Sequence, residues 1–238
     1  MSLLATLPPT EPAFLAHILS FDAKNYHVWT YRQWLCRRFP DPLLNTDVEL
    51  RAVDALIQDD VRNNSAWNHR YFVVFGVDEL RAIEVEVKAS DGGAGGGRGG
   101  GIRKEVLASG TLVVDLDVVD REVNYAKDHI AWAPQNASAW NYLRGVLTRA
   151  GIPLTEMRVF CEGFVGGKGA DLMSGGSSDT PGSSVRSSHA IDWLADIYRM
   201  EGDVHRSKEC LDALASKWDP IRRKYWEFRA RQLEGAKK

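Results

Sequence analysis

The sequence predicts an all-α protein built as an array of antiparallel helix pairs, and three observations carry that prediction. One ten-residue phrase recurs: NYHVWTYRQW from Asn25, NNSAWNHRYF from Asn63 and NASAWNYLRG from Asn136. Each phrase follows an amphipathic stretch and a short hinge, so the unit reads as helix, tight turn, helix. Trp29 and Trp67 stand 38 residues apart, the length of one supersecondary piece in a stacked repeat.

Each element follows from its own residues. Phe14, Leu15, Ile18 and Leu19 form the stripe of a first helix, which ends at FDAKN. The phrase itself makes the second helix. Asn is a favoured N-cap, and positions four and seven residues further on fall on one face. Asn25, Trp29 and Arg32 therefore line up, as do Asn63, Trp67 and Arg70, and Asn136 with Trp140. The expected roles are a cap, a core indole and a guanidinium forked onto a neighbouring acid or amide, together a docking device between units. Pro40 and Pro42 break the chain before the next pair. Val48, Val53, Leu56 and Ile57 then make a second stripe ending at QDDVRN, and Val123, Ala126 and Ile130 a third ending at WAPQN.

Trp67 to Trp140 is 73 residues, and the excess of about one unit length lies mostly between Glu86 and Asp120. It holds DGGAGGGRGGG and then TLVVDLDVVD, whose alternation predicts a strand rather than a helix. GFVGGKGADLMSGGSSDTPGSS, from Gly163, reads as flexible by composition. Helical patterns return over Ala190–Met200 and Val204–Lys217. A last helix, IRRKYWEFRARQL, keeps Trp226 and Arg229 but has Arg222 in the place of Asn. The map is helical repeats one and two over 1–86, a disordered Gly-rich insert over 87–119 and repeat three over 120–162. A flexible Gly/Ser loop follows over 163–188, and C-terminal helices over 189–238.

Several function classes are disfavoured by the bulk numbers. A net charge of −2 gives no electrostatic case for nucleic acid or an anionic membrane. Cys36, Cys161 and Cys210 form no CxxC pair, and the six His form no HxxxH or HExxH. A reducing compartment is expected, with no zinc or other metal held by this chain. The start lacks the basic region of a signal peptide, and no run approaches the roughly 20 apolar residues of a membrane span. The cytoplasm is the expected location. Neither the glycine tract nor GGKGA carries the GK[ST] of a phosphate loop, so both read as linkers. Tyr225–Arg231 reads as a solvated helix around a buried Trp rather than a nucleic-acid contact.

Recurrence in every unit is what packing demands, so residues peculiar to one unit are the better candidates for chemistry. Lys24, Tyr26 and His27 are such residues. The second copy has Arg62, Asn64 and Ser65 there, and the third has Gln135, Ala137 and Ser138. A helix N-terminus suits an anionic ligand.

DAKNYHVWTYRQW, DVRNNSAWNHRYFV, QNASAWNYLRGVL and the tail DPIRRKYWEFRARQL together resemble the repeats of the α subunit shared by protein farnesyltransferase and type I geranylgeranyltransferase. The resemblance implies a right-handed α-α superhelix wrapped around a β subunit. The heterodimer would move a farnesyl or geranylgeranyl group from its diphosphate to the Cys of a C-terminal CaaX box. It also implies zinc in the β subunit, magnesium with the diphosphate, no cofactor on this chain alone, and no activity without the partner. The family's catalytic Lys, Tyr and Gln come from a K-N-Y-Q repeat one unit before the K-N-Y-H found here. Lys24 therefore does not inherit the catalytic role. Tyr26 and His27 alone carry over, as residues near the prenyl diphosphate. The family's upstream repeats do not precede this phrase and the Gly-rich block from Val87 to Val119 has no counterpart, which is expected of a truncated gene model carrying an inserted or unspliced stretch. Two other readings stand beside this one. A peptide-binding scaffold of tetratricopeptide type would show a period of about 34 residues, and a Rab-type α subunit would extend into leucine-rich repeats.

Overall fold

The computed structural model describes residues 7–39, 46–76, 115–166 and 186–235, and every regular element among them is helical. The chain divides into two compact units, Met1–Arg121 and Glu122–Lys238.

The first unit holds two helix pairs. Helices α1 (Glu11–Phe21) and α2 (Tyr26–Arg38) are joined by the turn at Asp22–Asn25, and α3 (Thr46–Asp59) and α4 (Asn64–Tyr71) by the turn at Asp60–Asn63. Leu15 and Leu19 of α1 are buried, while Phe14 on the same predicted stripe lies exposed. Leu7, Leu15, Leu35 and Phe39 form one apolar cluster, with Val28 and Tyr31 packed against it. Val53 and Ile57 of α3 are fully buried, as are Ala66 and Trp67 of α4. Val53 and Ile57 each contribute about 1.5–3 kcal/mol of transfer free energy. Helix α4 then widens into a π turn at Phe72–Gly76. A Cβ on Gly76 would stand 2.8 Å from the Phe72 ring, so any larger residue there would have to displace that ring.

The second unit contains most of α5 (Leu116–Trp132), then α6 (Ala137–Ala150), a short α7 (Arg158–Glu162), α8 (Ser188–Met200), α9 (Val204–Ala213) and α10 (Arg223–Gly235). Gly151, at φ 67°, ends α6 in a Schellman turn: Ile152 N–H donates to the Leu147 carbonyl at 2.9 Å. A left-handed residue there needs glycine. Trp140, Leu143, Val146 and Leu147 of α6 are buried, as are Ile191, Leu194 and Ile197 of α8. The Trp140 indole meets the rings of Phe160, Phe164 and Trp193 at centroid distances of 5.9, 5.8 and 5.3 Å.

Two expectations are corrected. The alternating stretch before Asp120 is not a strand from Leu116 onward: α5 starts there, and the insert drawn over 87–119 ends inside a helix. Val119, Val123, Ala126 and Ile130 repeat at helical spacing and are all buried. Asp115 begins the helix by accepting from the Asp117 N–H at 3.0 Å. The loop drawn over 163–188 is ordered at both ends. Phe164 and Val165 are buried, the Phe164 carbonyl accepts from Arg186 N–H at 2.8 Å, and Ser187 caps α8. The glycine tract Asp91–Gly101 and the segment 167–185 lie outside the described residues.

Candidate functional site

The recurrent residues build one kind of turn. The Asn25 side chain accepts from Val28 N–H at 3.1 Å, Asn63 from Ser65 and Ala66 N–H at 3.2 and 3.3 Å, and Asn136 from Ser138 N–H at 3.1 Å. Each satisfies amide groups that a helix start leaves without partners. The indoles close the same turn from the other side. Trp29 donates to the Ala23 carbonyl at 2.9 Å, Trp67 to Val61 at 2.8 Å and Trp140 to Pro134 at 2.9 Å, always six residues back. In the last unit Trp226 donates to the Asp219 carboxylate at 3.0 Å. Trp29, Trp67 and Trp140 are all buried core residues.

The same groups stitch neighbouring turns. Ala23's carbonyl accepts both its own Trp29 indole and the Asn63 carboxamide of the next turn, at 3.1 Å. Lys24 reaches across the same gap to Asp60 at 3.0 Å. That ion pair, through the Lys24 hydrogen bond first, holds the Asp60 carboxyl below its ordinary value. In the second unit Gln135, which matches Lys24, accepts from the Ser188 amide and hydroxyl at 3.3 Å.

Sequence reasoning missed a bolt inside each pair. Glu11 accepts from the Tyr31 hydroxyl at 2.5 Å, Glu49 bonds His69 Nε2 at 2.7 Å, and Glu122 accepts from the Tyr142 hydroxyl at 2.6 Å. The signal was present as a Glu exactly eighteen positions before each repeat Trp and a Tyr or His two after it.

The middle bolt is the most highly charged. Arg32 forks onto Glu49 through Nε at 2.6 Å and Nη2 at 3.0 Å, linking the first pair to the second. Arg70 pairs with Asp54 of α3, and the third copy has the buried Leu143 in place of the guanidinium. Burial alone would raise the Glu49 carboxyl, but hydrogen bonds from His69 and Arg32 outweigh it and hold it at about 2. Burial lowers His69, so the imidazole stays neutral and donates Nε2–H to the carboxylate. Cys36 lies beside them, its thiol pushed to about 12 by burial and then by the Glu49 charge. Cys36, Glu49 and His69 hold ligand atoms within 4.8 Å of one another. Their bonding fits a structural lock better than a metal centre: Arg32 already occupies both Glu49 oxygens, and a dication there would face a buried guanidinium.

Tyr26 and His27 are different in kind. They occupy the first turn of α2, Tyr26 is 74% exposed, and their rings meet edge to face at 5.6 Å. Among the described residues neither the phenol nor the imidazole has a hydrogen-bond partner. The outward side of the first turn thus offers two free donors at a helix N-terminus, beside a lysine committed to Asp60.

Fold and turns define a helical-repeat protein with Asn-capped, Trp-locked turns, the first of which carries two exposed donors. The family model for the protein prenyltransferase alpha subunit repeat matches residues 8–39, 47–76 and 119–150. The protein farnesyltransferase/geranylgeranyltransferase type-1 subunit alpha of Candida albicans is 34% identical over 219 residues, covering 89% of this chain and 67% of that protein. Its counterpart in Dictyostelium discoideum is 28% identical over 203 residues, covering 84% of this chain and 45% of that protein. The structure of Candida albicans protein geranylgeranyltransferase-I complexed with GGPP matches with a TM-score of 0.72 at 33% identity, over 96% of this chain and 60% of the solved one. The chain belongs to the protein prenyltransferase alpha-subunit family. It spans 67% and 45% of the lengths of these two relatives.

Proposed function

We propose that the chain acts as the alpha subunit of a heterodimeric CaaX protein prenyltransferase. In this reading it supports transfer of a farnesyl or geranylgeranyl group from its diphosphate to a C-terminal cysteine thiol, and only with a beta subunit. The observation that carries the reading is the first turn: among the three copies, it alone sets an exposed phenol and imidazole on a helix N-terminus. The match to type-1 alpha subunits over most of this chain supports it.

The chemistry assigned to this chain is electrostatic. As the C–O bond to the diphosphate breaks, negative charge grows on the leaving oxygens. Tyr26 O–H and a His27 N–H donate to those oxygens, and the start of α2 adds favourable partial charge. The Asn25 cap and the Trp29 indole fix the turn, so the donors need little reorganisation. Zinc of the beta subunit would make the acceptor thiol more acidic, and magnesium would accompany the diphosphate; no residue of this chain is assigned to hold either. No helix among the described residues is long and apolar enough to cross a membrane, and the proposed site of action is the cytoplasm.

The test is a prenyl-transfer assay on the chain co-expressed with a CaaX-type beta subunit and supplied with the repeats that precede this turn in the family. Tyr26→Phe and His27→Ala should each lower turnover by about tenfold to a hundredfold while assembly stays intact. Lys24→Ala should do less than either, because its ammonium serves Asp60. Abolition of transfer by Lys24→Ala, with normal assembly, would move the catalytic register by one repeat and refute the assignment.

A further inference from the structure

The last helix carries a feature that the proposed reaction does not use. Helix α10 packs inward through Trp226, Ala230 and Leu233, all buried. The opposite face of such a helix is ordinarily polar. Here it is partly apolar. Ile221, in the 3₁₀ turn that leads into α10, is 96% exposed, and Tyr225 and Phe228 are 49% and 50% exposed. The three stand at the spacing of one helical stripe, four and then three residues apart.

The charges around that stripe are mostly basic. Residues 222–235 hold five Lys or Arg against two Glu, in a chain whose net charge is −2. Three of the five are matched: Arg222 pairs with Asp219 at 2.5 Å, Arg223 with Glu227 at 2.9 Å, and Arg229 with Asp192 and Asp196. Lys224 and Arg231 are exposed and have no ion-pair partner among the described residues. With Phe228 between them they make a second stripe of helical spacing beside the first. The chain as a whole gives no electrostatic case for an anionic surface, and this helix is the local exception.

We propose that this face of α10 rests on an anionic lipid surface. Ile221 and the rings of Tyr225 and Phe228 enter the boundary between headgroups and acyl chains, where amphipathic rings are favoured. Lys224 and Arg231 have long apolar stems and lie beside Phe228. Their charged ends therefore reach lipid phosphate and carboxylate groups while the rings go in. The contact is peripheral and reversible, because three side chains bury little area. A lipid surface is favoured over an acidic protein segment because the apolar side chains project from the helix, and a fluid boundary needs no complementary socket. The face lies outside the matched repeats, the last of which ends at residue 150, and does not depend on the prenyl-transfer reading.

Co-sedimentation of the full chain with vesicles tests this. Vesicles of equal parts phosphatidylcholine and phosphatidylserine should carry the chain down saturably, and vesicles of phosphatidylcholine alone at least about tenfold more weakly. Lys224→Gln and Arg231→Gln together should lower binding to the anionic vesicles by about tenfold or more, whereas Lys224→Arg with Arg231→Lys should keep it. Ile221→Ser leaves every charge in place and should weaken binding by about fivefold. Thermal unfolding should be unmoved by these substitutions, because all three side chains are exposed. Equal binding to the two kinds of vesicle, full binding by the doubly neutral variant, or no effect of Ile221→Ser would each overturn the proposal. So would a chain that stays in solution with both, which would leave the face to a protein partner.

Discussion

Glu49 shows how much one side chain can hold in this fold. It receives Arg32 from one helix pair and His69 from another, and all three are buried. Replacing Glu49 with Ala leaves a guanidinium buried without its counter-charge, a loss of about 3–5 kcal/mol. Denaturant unfolding at pH 7 reads it directly; a change under about 1 kcal/mol would mean that the pair is solvated. The same carboxylate sets an acid limit. Its folded value is depressed to about 2 from 4.5, so its contribution is complete above pH 4.5 and is lost as pH falls toward 2. His69 acts in the same direction. Its folded value is also depressed, so the unfolded chain takes up the proton first, and stability begins to fall below pH 6.5. Urea midpoints measured between pH 7 and pH 3 should therefore drop in two stages, and Glu49→Gln should flatten the lower one. Trp67, 1% exposed, is the other keystone. Trp67→Ala should cost about 3–5 kcal/mol, as large-to-small core changes do.

At the scale of the element, the capped turns were readable because cap preference and helical periodicity are local rules. Asn25, Asn63 and Asn136 stand where those rules put them, each bonded to an amide of its own helix. Asn63 does more than its sequence suggests, since its carboxamide also donates to the Ala23 carbonyl. Asn25→Ala should lose a cap, about 1 kcal/mol. Asn63→Ala should lose a cap and an inter-turn hydrogen bond, roughly 1 kcal/mol more. Equal destabilisation in thermal melts would show that the stitch contributes nothing. The first turn of α5 was misread for a physical reason. In TLVVDLDVVD a period of two fits as well as a period of four over so few residues, and only Val123, Ala126 and Ile130 further along decide it. The two ends of the Gly163–Ser188 stretch were misread because composition hides single anchors: Phe164 and Ser187 are fixed by burial and by hydrogen bonds that composition does not record.

At the scale of the whole molecule, a repeat architecture makes the architecture legible and the chemistry less so. The Asn–Trp phrase recurs in three units, and its recurrence was enough to read helix pairs and their family. The bolts between Glu and Tyr or His were legible only in principle, since their partners stand twenty residues apart and differ in type. Arg32, Glu49, His69 and Cys36 come together through tertiary packing of three helices, and no short motif announces that cluster. Tyr26 and His27 could be singled out because they break the repeat, and both side chains are exposed with no hydrogen-bond partner among the described residues. What an alpha subunit must do first is assemble. Co-purification of the tagged full chain with a co-expressed CaaX-type beta subunit tests that claim most directly. The account predicts a stable complex of one copy of each that survives gel filtration and is retained by Tyr26→Phe. A chain that is folded by circular dichroism and monodisperse, yet elutes free of the beta subunit, would contradict it.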